Sequence, residues 1–237
     1  MKLNLSKRLQ AIARFLPKDA FFADIGTDHA YLPCYICLND PNALAIAGDI
    51  SEGPYQRARE TVHKFSLTDR IDVRLGDGLQ IINEKTDCIE QLVIAGMGGS
   101  LMKDILTSGL NQLKTVKRII LQPNIGAKHV RQWLFKHRYA IVAETIVQEN
   151  EHLYEIIVAD LDAEQPYASV TTLKNKQFLF GPLLMDEKSS LFRKKWSAEL
   201  AHLHQVVEQI KQAKQTNQSL NKFMKEIRWI EEVLGDE

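Results

Sequence analysis

Short apolar runs alternate with amphipathic stretches along most of the chain, and this alternation predicts the fold. Five mostly apolar, β-rich runs are predicted strands, at 21–26, 44–50, 70–76, 91–96 and 118–123. Their composition is typical of strands covered on both faces. Helical patterns fill the intervals 31–39, 53–66, 100–110 and 126–137. Because each interval is long enough for a crossover, the pattern predicts a parallel sheet with helices on both faces.

The rhythm changes at both ends of this region. Two strand-like runs, 139–150 and 152–160, have almost nothing between them and predict an antiparallel hairpin that closes the sheet. Residues 4–16 have the spacing of an amphipathic helix. We therefore expect an α/β fold of Rossmann-like type, with a seven-stranded, mostly parallel sheet and an antiparallel terminal hairpin, in a domain at 1–160.

The last third of the chain has a different pattern. Residues 161–186 include two prolines and a glycine, show no long periodicity and are interpreted as a connector. From 187 apolar residues recur at three- and four-residue steps, stop at 215–219 and then resume. This predicts a C-terminal domain at 187–237, an antiparallel, coiled-coil-like hairpin of two helices.

Composition narrows the functional classes only slightly. The 237 residues are 45% apolar and 25% charged, as in an ordinary globular protein. Acids and bases are 30 each, which argues against a chain that is basic throughout but allows a local basic face. The start lacks the apolar core of a signal peptide, and no run is long enough for a membrane span, so we expect a cytoplasmic protein without a membrane partner. Three cysteines, two of them in one helical stretch, predict neither a disulfide framework nor a metal site.

Candidate chemistry lies at the carboxyl ends of the predicted strands, where ligands bind in open α/β sheets. Strand 1 ends in DIGTDHAYLP, strand 2 in GDI, strand 3 in GDGL, strand 4 in AGMGG and strand 5 in LQPN. Each stretch alone could be an ordinary turn or helix cap. Neither G-x-G-x-x-G nor a phosphate-binding G-x-x-x-x-G-K-[ST] is present. Carboxylates at successive strand ends instead suit a ligand with hydroxyls, an amino group and positive charge, such as S-adenosylmethionine.

These five stretches, in this order and spacing, resemble the bacterial tRNA (adenine-22-N1)-methyltransferases, which are class I S-adenosylmethionine-dependent enzymes. The resemblance extends from about residue 2 to the C-terminus and includes the two-helix tail. It implies methyl transfer from S-adenosylmethionine to N1 of adenine 22 in tRNA. The matching positions imply these cofactor-binding residues: Asp24, Gly26, Thr27, His29, Asp49, Ile50, Asp77, Gly78, Gly96, Met97 and Gly98.

Two departures from methyltransferases at large concern the reaction. The first motif lacks the usual second and third glycines, and the fourth lacks the Asn/Asp-Pro-Pro-aromatic signature of enzymes that methylate exocyclic amines. The second absence fits a ring-nitrogen target and leaves no acid at strand 4 to act as a base. On the target side we nominate Asp28 to stabilise charge, Tyr31 to stack on the base and Asn124 to bond its edge. Each also has a purely structural interpretation: Asp28 as a helix N-cap, Tyr31 as packing in the first turn of a helix and Asn124 as a turn residue.

Basic residues suggest where RNA binds. The candidates cluster near the N-terminus and near the tail: Lys7, Arg8, Arg14, Lys174, Lys176, Arg193, Lys194 and Lys195. If such residues neutralised phosphates, the affinity for RNA would fall as the salt concentration rises. The alternative is that these lysines simply form the solvent-exposed faces of helices, as scattered lysines usually do. The tail could grip RNA, pack on the sheet or dimerise, and a monomer is compatible with the sequence.

Two other functions remain open at this point. One is a class I methyltransferase that acts on a small molecule or a protein. The other is a non-catalytic tRNA-binding module that retains a nucleoside pocket.

Overall fold

The computed structural model describes residues 3–212 and 218–235, and within them the chain divides into two compact units. The first unit ends at Tyr167 and the second begins at Ala168.

The first unit alternates helices and strands as the hydrophobic pattern predicts. Its strands are β1 (Phe21–Ile25), β2 (Leu44–Asp49), β3 (Ile71–Leu75), β4 (Gln91–Gly98), β5 (Arg118–Ile125), β6 (Tyr139–Glu149) and β7 (His152–Leu161). Its helices are α1 (Lys7–Ala13), α2 (Tyr31–Asn39), α3 (Glu52–Lys64), α4 (Gly99–Ser108) and α5 (Ala127–Lys136). Short 3-10 turns follow β3 and α4, at Gly78–Ile81 and Leu110–Leu113.

The described strands form one seven-stranded sheet in the order β3-β2-β1-β4-β5-β7-β6. Strands β1 to β5 are parallel, and β7 runs antiparallel to both β5 and β6. This confirms the Rossmann-like fold with its closing hairpin. The chain order reverses between β1 and β4, so a ligand site is expected at the carboxyl ends of these two strands and their neighbours.

The central strands are buried because helices cover both faces. Phe22 of β1, Leu92 and Val93 of β4 and Ile120 of β5 have no exposed surface. Helix α1 is shorter than the predicted 4–16, since the Ser6 side chain caps it by accepting the Leu9 N–H at 3.3 Å.

The hairpin is attached through a buried charged cluster that the sequence did not indicate. Arg131 of α5 is fully buried, and its Nε donates to Glu144 of β6 at 2.7 Å. Its Nη2 pairs with Glu155 of β7. Both carboxylates hold the guanidinium charged despite its burial, so the pKa of Arg131 is raised. Such a cluster fixes the pairing partners of β6 and β7 more than it adds stability.

The second unit differs from the sequence-based expectation. Its helices are α6 (Thr171–Phe180), α7 (Pro182–Glu187), α8 (Ser190–Gln212) and α9 (Gln218–Gly235). The expected connector at 161–186 is therefore largely helical, and α6 and α7 belong to this unit. Helix α6 was missed because, apart from Leu173, its apolar residues are concentrated in its last three positions and form no periodic stripe, and α7 was missed because it has only six residues after the Gly181–Pro182 step.

Helices α8 and α9 form the predicted antiparallel pair. Arg193, near the start of α8, donates to the carbonyl of Leu234, near the end of α9, at 3.3 Å. Phe180, Phe192 and Trp196 pack at the base of α8, with the Phe180 and Trp196 rings edge to face at 4.5 Å. The break expected at 215–219 lies mostly outside the described residues. No helix in the described ranges has the length and apolarity that crossing a bilayer requires.

Candidate active site

The turn after β1 is tight and tied to β2. The backbone N–H groups of Gly26 and Thr27 both donate to the carbonyl of Gly48, at 2.8 and 3.0 Å. Gly26 has φ +74°, and the non-glycine residues Asp28 and Ala30 also lie in the left-handed region, with φ near +54° and +53°. Left-handed backbone in non-glycine residues is unfavourable and is concentrated at functional sites. Gly26 of this turn and Gly48 and Asp49 of β2 line an open space at the ends of the two strands.

Asp24 is the buried acid of this turn. Its side chain is almost fully enclosed and accepts a hydrogen bond from the Thr27 hydroxyl at 2.7 Å. Burial raises the pKa of Asp24 to about 6, although the Thr27 bond and the positive charge of Arg8 act in the opposite direction. A nearby cation would therefore stabilise the carboxylate form of Asp24.

Two further acids stand at the next strand ends. Asp49 ends β2, and its Oδ1 accepts the Ser51 N–H at 2.9 Å, which fixes the orientation of the carboxylate. Asp77 follows β3 and is exposed. The side chain of Ile50, between these strand ends, is 65% exposed, which offers an apolar surface for a flat ring.

Of these groups, Gly26, Asp49, Ile50 and Asp77 line a cavity of about 220 Å³, whereas Asp24 lies outside its lining. It is lined by Ile25, Gly26, Gly48, Asp49, Ile50, Gly76, Asp77, Gly78, Met97, Leu101 and Ile105. The lining carries two carboxylates and apolar side chains, with no Lys or Arg among the described residues. Such a lining fits the hydroxyls, amino group and ring of a nucleoside and does not fit a phosphate group. The structure thus supports a positively charged adenosine derivative such as S-adenosylmethionine.

The ends of β4 and β5 carry amides in place of acids. The fully buried Gln122 accepts hydrogen bonds at Oε1 from Arg8 and from the Gly96 N–H, the latter at 3.1 Å. Its Nε2 donates to Asn124 Oδ1 at 3.0 Å, and Asn124 Nδ2 donates to the Gly96 carbonyl at 2.8 Å. Asn124 and Gly96 are exposed at this edge. A target base at this edge could therefore contact the backbone of Gly96 and the side-chain amide of Asn124, whose positions these hydrogen bonds fix.

The other target-side candidates lie on the β1–α2 turn. Asp28 does not cap α2, because that helix begins at Tyr31 after Ala30 and has no side-chain cap. Instead its carboxylate lies 3.3 Å from Arg57 of α3. Tyr31 is 42% exposed, and its ring stacks on His29 with centroids 5.0 Å apart. His29 was expected at the cofactor, and the structure places it in this stack, outside the lining of the cavity.

The RNA-binding candidates are distributed over both units. In the first unit Lys7 and Arg14 are exposed, but Arg8 turns inward, with its guanidinium 5.5 Å from the centre of the Tyr154 ring. In the second unit Lys174 and Lys176 lie on α6, and Lys176 pairs with Glu232 of α9. Arg193, Lys194 and Lys195 lie on α8.

Sequence reasoning missed two parts of the site. Leu101 and Ile105 of α4 reach the cavity, although nothing in the pattern of the predicted helix at 100–110 singled them out. Gln122 was overlooked, although a lone amide inside the apolar run RIILQP was a detectable signal, since a buried amide needs partners.

Other cavities and clusters lie away from this edge. A larger cavity of about 540 Å³ lies between α3 and the edge strand β3, around Arg59, His63 and Asp72. Across the described residues, no three His, Cys, Asp or Glu side chains are grouped as metal ligands. The buried Cys34 and Cys37 have thiol pKa values raised by burial, Cys34 to about 12.

Comparison with known proteins agrees with this geometry. The family model described as tRNA (adenine(22)-N(1))-methyltransferase (TrmK) matches residues 22–232. The Bacillus subtilis (strain 168) enzyme of that name is 45% identical over 223 residues, which cover 94% of this chain and 92% of the relative.

Solved structures show the same relation. The crystal structure of the B. subtilis m1A22 tRNA methyltransferase TrmK matches with a TM-score of 0.90 and 42% identity, over 98% of this chain and all of that one. Streptococcus pneumoniae Sp1610, a candidate tRNA (m1A22) methyltransferase solved with S-adenosyl-L-methionine, matches with a TM-score of 0.85 and 38% identity. That match covers 98% of this chain and 100% of the other. The chain belongs to the tRNA (adenine(22)-N(1))-methyltransferase family.

Proposed function

We propose that the protein transfers the methyl group of S-adenosylmethionine to N1 of adenine 22 in tRNA. The observation that carries this proposal is the carboxylate-lined nucleoside cavity, which lies beside an amide-lined strand edge in a chain that matches the family over nearly its whole length.

The chain's own residues account for cofactor binding. Asp49 accepts hydrogen bonds from the ribose hydroxyls, and Asp77 accepts a hydrogen bond from the adenine amino group. Ile50, Leu101 and Ile105 cover the ring with apolar surface. Asp24, whose carboxylate lies under the β1 turn, favours the positive charge of the ligand. The bound cofactor supplies an electrophilic methyl group.

The target side requires orientation more than proton removal. N1 of adenine has an in-plane lone pair and needs no base before it attacks. Holding the two reactants in line can contribute about 7–11 kcal/mol to lowering the barrier. Because N1 lies on the pairing edge, the base must leave its pair or stack, which costs a few kcal/mol.

Three residues on this side receive the base. Asn124 bonds the edge of the ring, and the exposed face of Tyr31 stacks on it. The methylated ring is cationic, and Asp28 lies on the neighbouring turn to stabilise that charge. These are the roles nominated from the sequence, and the placement of all three around the strand ends supports them.

Binding of tRNA is electrostatic in this proposal. Lys7 and Arg14 present exposed charge on the first unit, and Lys194 of α8 does so on the second, where the other candidates of α6 and α8 are only partly exposed. We propose that the second unit adds phosphate contacts and that the chain acts as a monomer. A tRNA substrate also supports the cytoplasmic location expected from the sequence.

Incubation with methyl-labelled S-adenosylmethionine tests the function directly. We expect label in a tRNA transcript with adenine at position 22, and none in the same transcript with guanine there or in free adenosine. Mapping the modified nucleotide as 1-methyladenosine completes the test. Label in small molecules or proteins but not in tRNA would exclude the proposal, as would tRNA binding without any transfer.

A further inference from the structure

We propose that Gln122 is the positioning residue of the target side, and that Arg8 acts as its anchor instead of contacting RNA phosphate. The proposal rests on the proposed function, because it assigns the placement of Asn124 and Gly96 at the target base to a buried side chain.

Gln122 joins three separate segments. It has no exposed surface, yet it contacts Arg8 of α1, Gly96 at the end of β4 and Asn124 at the end of β5. A buried amide with this many partners is held in one orientation, since any rotation would leave polar groups unpaired in the interior.

The donors and acceptors define that orientation without ambiguity. The Arg8 guanidinium and the Gly96 N–H can only donate, so the Gln122 group facing them must be the oxygen. Its nitrogen therefore faces Asn124, whose oxygen must be the acceptor. The Asn124 nitrogen then faces the Gly96 carbonyl, which can only accept. The exposed amide of Asn124 consequently shows one fixed pattern of donors and acceptors to the base.

Arg8 is held for this task by two contacts inside the first unit. It donates to Gln122 Oε1, and its guanidinium lies over the ring of Tyr154 in β7 at 5.5 Å. A Cβ at Gly96 would lie 3.5 Å from its Nη1, so the charge is close to the bare backbone of β4. Its neighbour Lys7 is exposed, which makes the inward position of Arg8 a specific feature of this residue.

The first experiment replaces Gln122 by glutamate, as Gln122→Glu. The carboxylate keeps the shape of the amide and still accepts from Arg8 and Gly96, but it has no N–H for Asn124. We expect kcat on tRNA to fall about 10- to 100-fold, as for a displacement of about 1 Å at a reacting group. The KM for tRNA, the Kd for S-adenosylmethionine and the Tm should change little. Gln132→Glu makes the same change at an exposed site on α5 and serves as the control.

The second experiment separates positioning from general disruption by a double-mutant cycle. If Gln122 acts through Asn124, then Gln122→Glu should cause almost no further loss of kcat in an Asn124→Ala background. Losses that multiply would overturn the proposal, because the two residues would then act independently.

The third experiment examines Arg8 and does not depend on how Gln122→Glu folds. We expect Arg8→Gln to lower kcat about tenfold and to leave the salt dependence of tRNA binding unchanged. A phosphate contact would instead reduce the slope of log K against log salt by about one unit. Arg8→Lys keeps the charge but not the planar fork, so it should restore little of kcat.

Failure of the inference can be told apart from failure of the proposed function. If the unaltered protein methylates adenine 22 and Gln122→Glu matches it in kcat, the positioning role is wrong and the function stands. If the unaltered protein does not modify tRNA at all, the function itself is wrong.

Discussion

The carboxyl ends of the parallel strands fall into two groups that carry different chemistry. At the ends of β1 to β3, three carboxylates, Asp24, Asp49 and Asp77, stand beside glycine turns. At the ends of β4 and β5, two amides are bonded to each other and to the backbone of Gly96. In the proposed function, charge selects a cationic nucleoside on the first side, and fixed geometry selects a neutral base on the second.

The difference follows from what each ligand offers. A carboxylate that burial has left poorly solvated attracts a cation strongly. The cofactor side therefore needs acidic side chains more than it needs their exact placement. A neutral ring offers only directional hydrogen bonds and a flat face, so the target side needs groups that cannot rotate. Variants should therefore affect binding on the first side and turnover on the second.

The largest effect is expected at Asp49. Asp49→Asn removes the negative charge of the carboxylate proposed to accept hydrogen bonds from the ribose hydroxyls, and hydrogen bonds to charged groups contribute about 1.5–3 kcal/mol. The Kd for S-adenosylmethionine should rise about 10- to 100-fold by calorimetry. Binding of tRNA should stay the same.

Asp69→Asn is the matched control for this variant, since it changes an exposed acid in the turn before β3. Equal cofactor affinity in Asp49→Asn and Asp69→Asn would refute the charge-based account of the cofactor side.

Two adjacent glycines sharpen the contrast on the target side. A Cβ at Gly99 would lie 2.2 Å from the carbonyl oxygen of Gly126, whereas one at Gly98 would meet Ile125 at an ordinary 3.8 Å. Gly99→Ala should lower the free energy of unfolding by about 2–3 kcal/mol. The Gly98→Ala variant should fold normally. Its kcat should fall about tenfold, because the added methyl group would crowd the target base.

Urea unfolding and steady-state kinetics on both variants provide the measurement. Gly96→Ala is a less clean test because φ is +79° there and adds strain of about 1 kcal/mol. A stable, fully active Gly98→Ala enzyme would show that the end of β4 does not contact the base.

Asp24 should show opposite effects on stability and binding. Because its pKa is raised to about 6, the folded protein binds this proton more tightly than the unfolded chain does. The group therefore favours folding at low pH, and this contribution is lost as pH rises through 6. At pH 8 the buried charge costs up to about 3 kcal/mol.

Asp24→Asn should accordingly raise the free energy of unfolding by about 1–3 kcal/mol at pH 8 and change it little at pH 4. Its cofactor affinity at pH 8 should fall about tenfold. Affinity of the unaltered protein should also fall as pH drops below 6. Destabilisation of Asp24→Asn at pH 8 would contradict the assignment of the raised pKa to desolvation.

The smallest effects are expected from exposed charges. Lys7→Gln and Arg14→Gln should each raise the KM for tRNA about threefold and reduce its salt slope by about one unit, with no change in cofactor affinity. Lys117→Gln is the control, since Lys117 lies at the amino end of β5, whereas the candidate site lies at the carboxyl ends of the strands. Identical salt slopes in all three variants would exclude α1 and the adjoining Arg14 from the RNA-binding surface.

Much of the fold followed from the hydrophobic period. The apolar runs and the intervals between them placed the five parallel strands and their helices within a few residues, because strands buried on both faces leave a strong pattern. The positions of the acids and glycines at the strand ends were predictable for the same reason, since they follow directly on the strands that carry them, whereas their assignment to the cofactor came from the family resemblance and stays a prediction. Helices α6 and α7 were not predictable, because the apolar residues of α6 are concentrated at its end instead of recurring along one face and α7 has only six residues.

What the sequence by itself determined is the set of groups at each strand end, since in a parallel sheet chain order places those ends on one edge. Tertiary structure alone decided how the groups combine. Arg8 and Gln122 are 114 residues apart, and nothing local distinguishes Arg8 from Lys7 or Arg14 as the cation that turns inward. Likewise the pKa of Asp24 depends on burial, and the direction of the Asn124 amide depends on partners from two strands. Interactions between distant segments exist only after the chain has packed, so only the folded molecule specifies them.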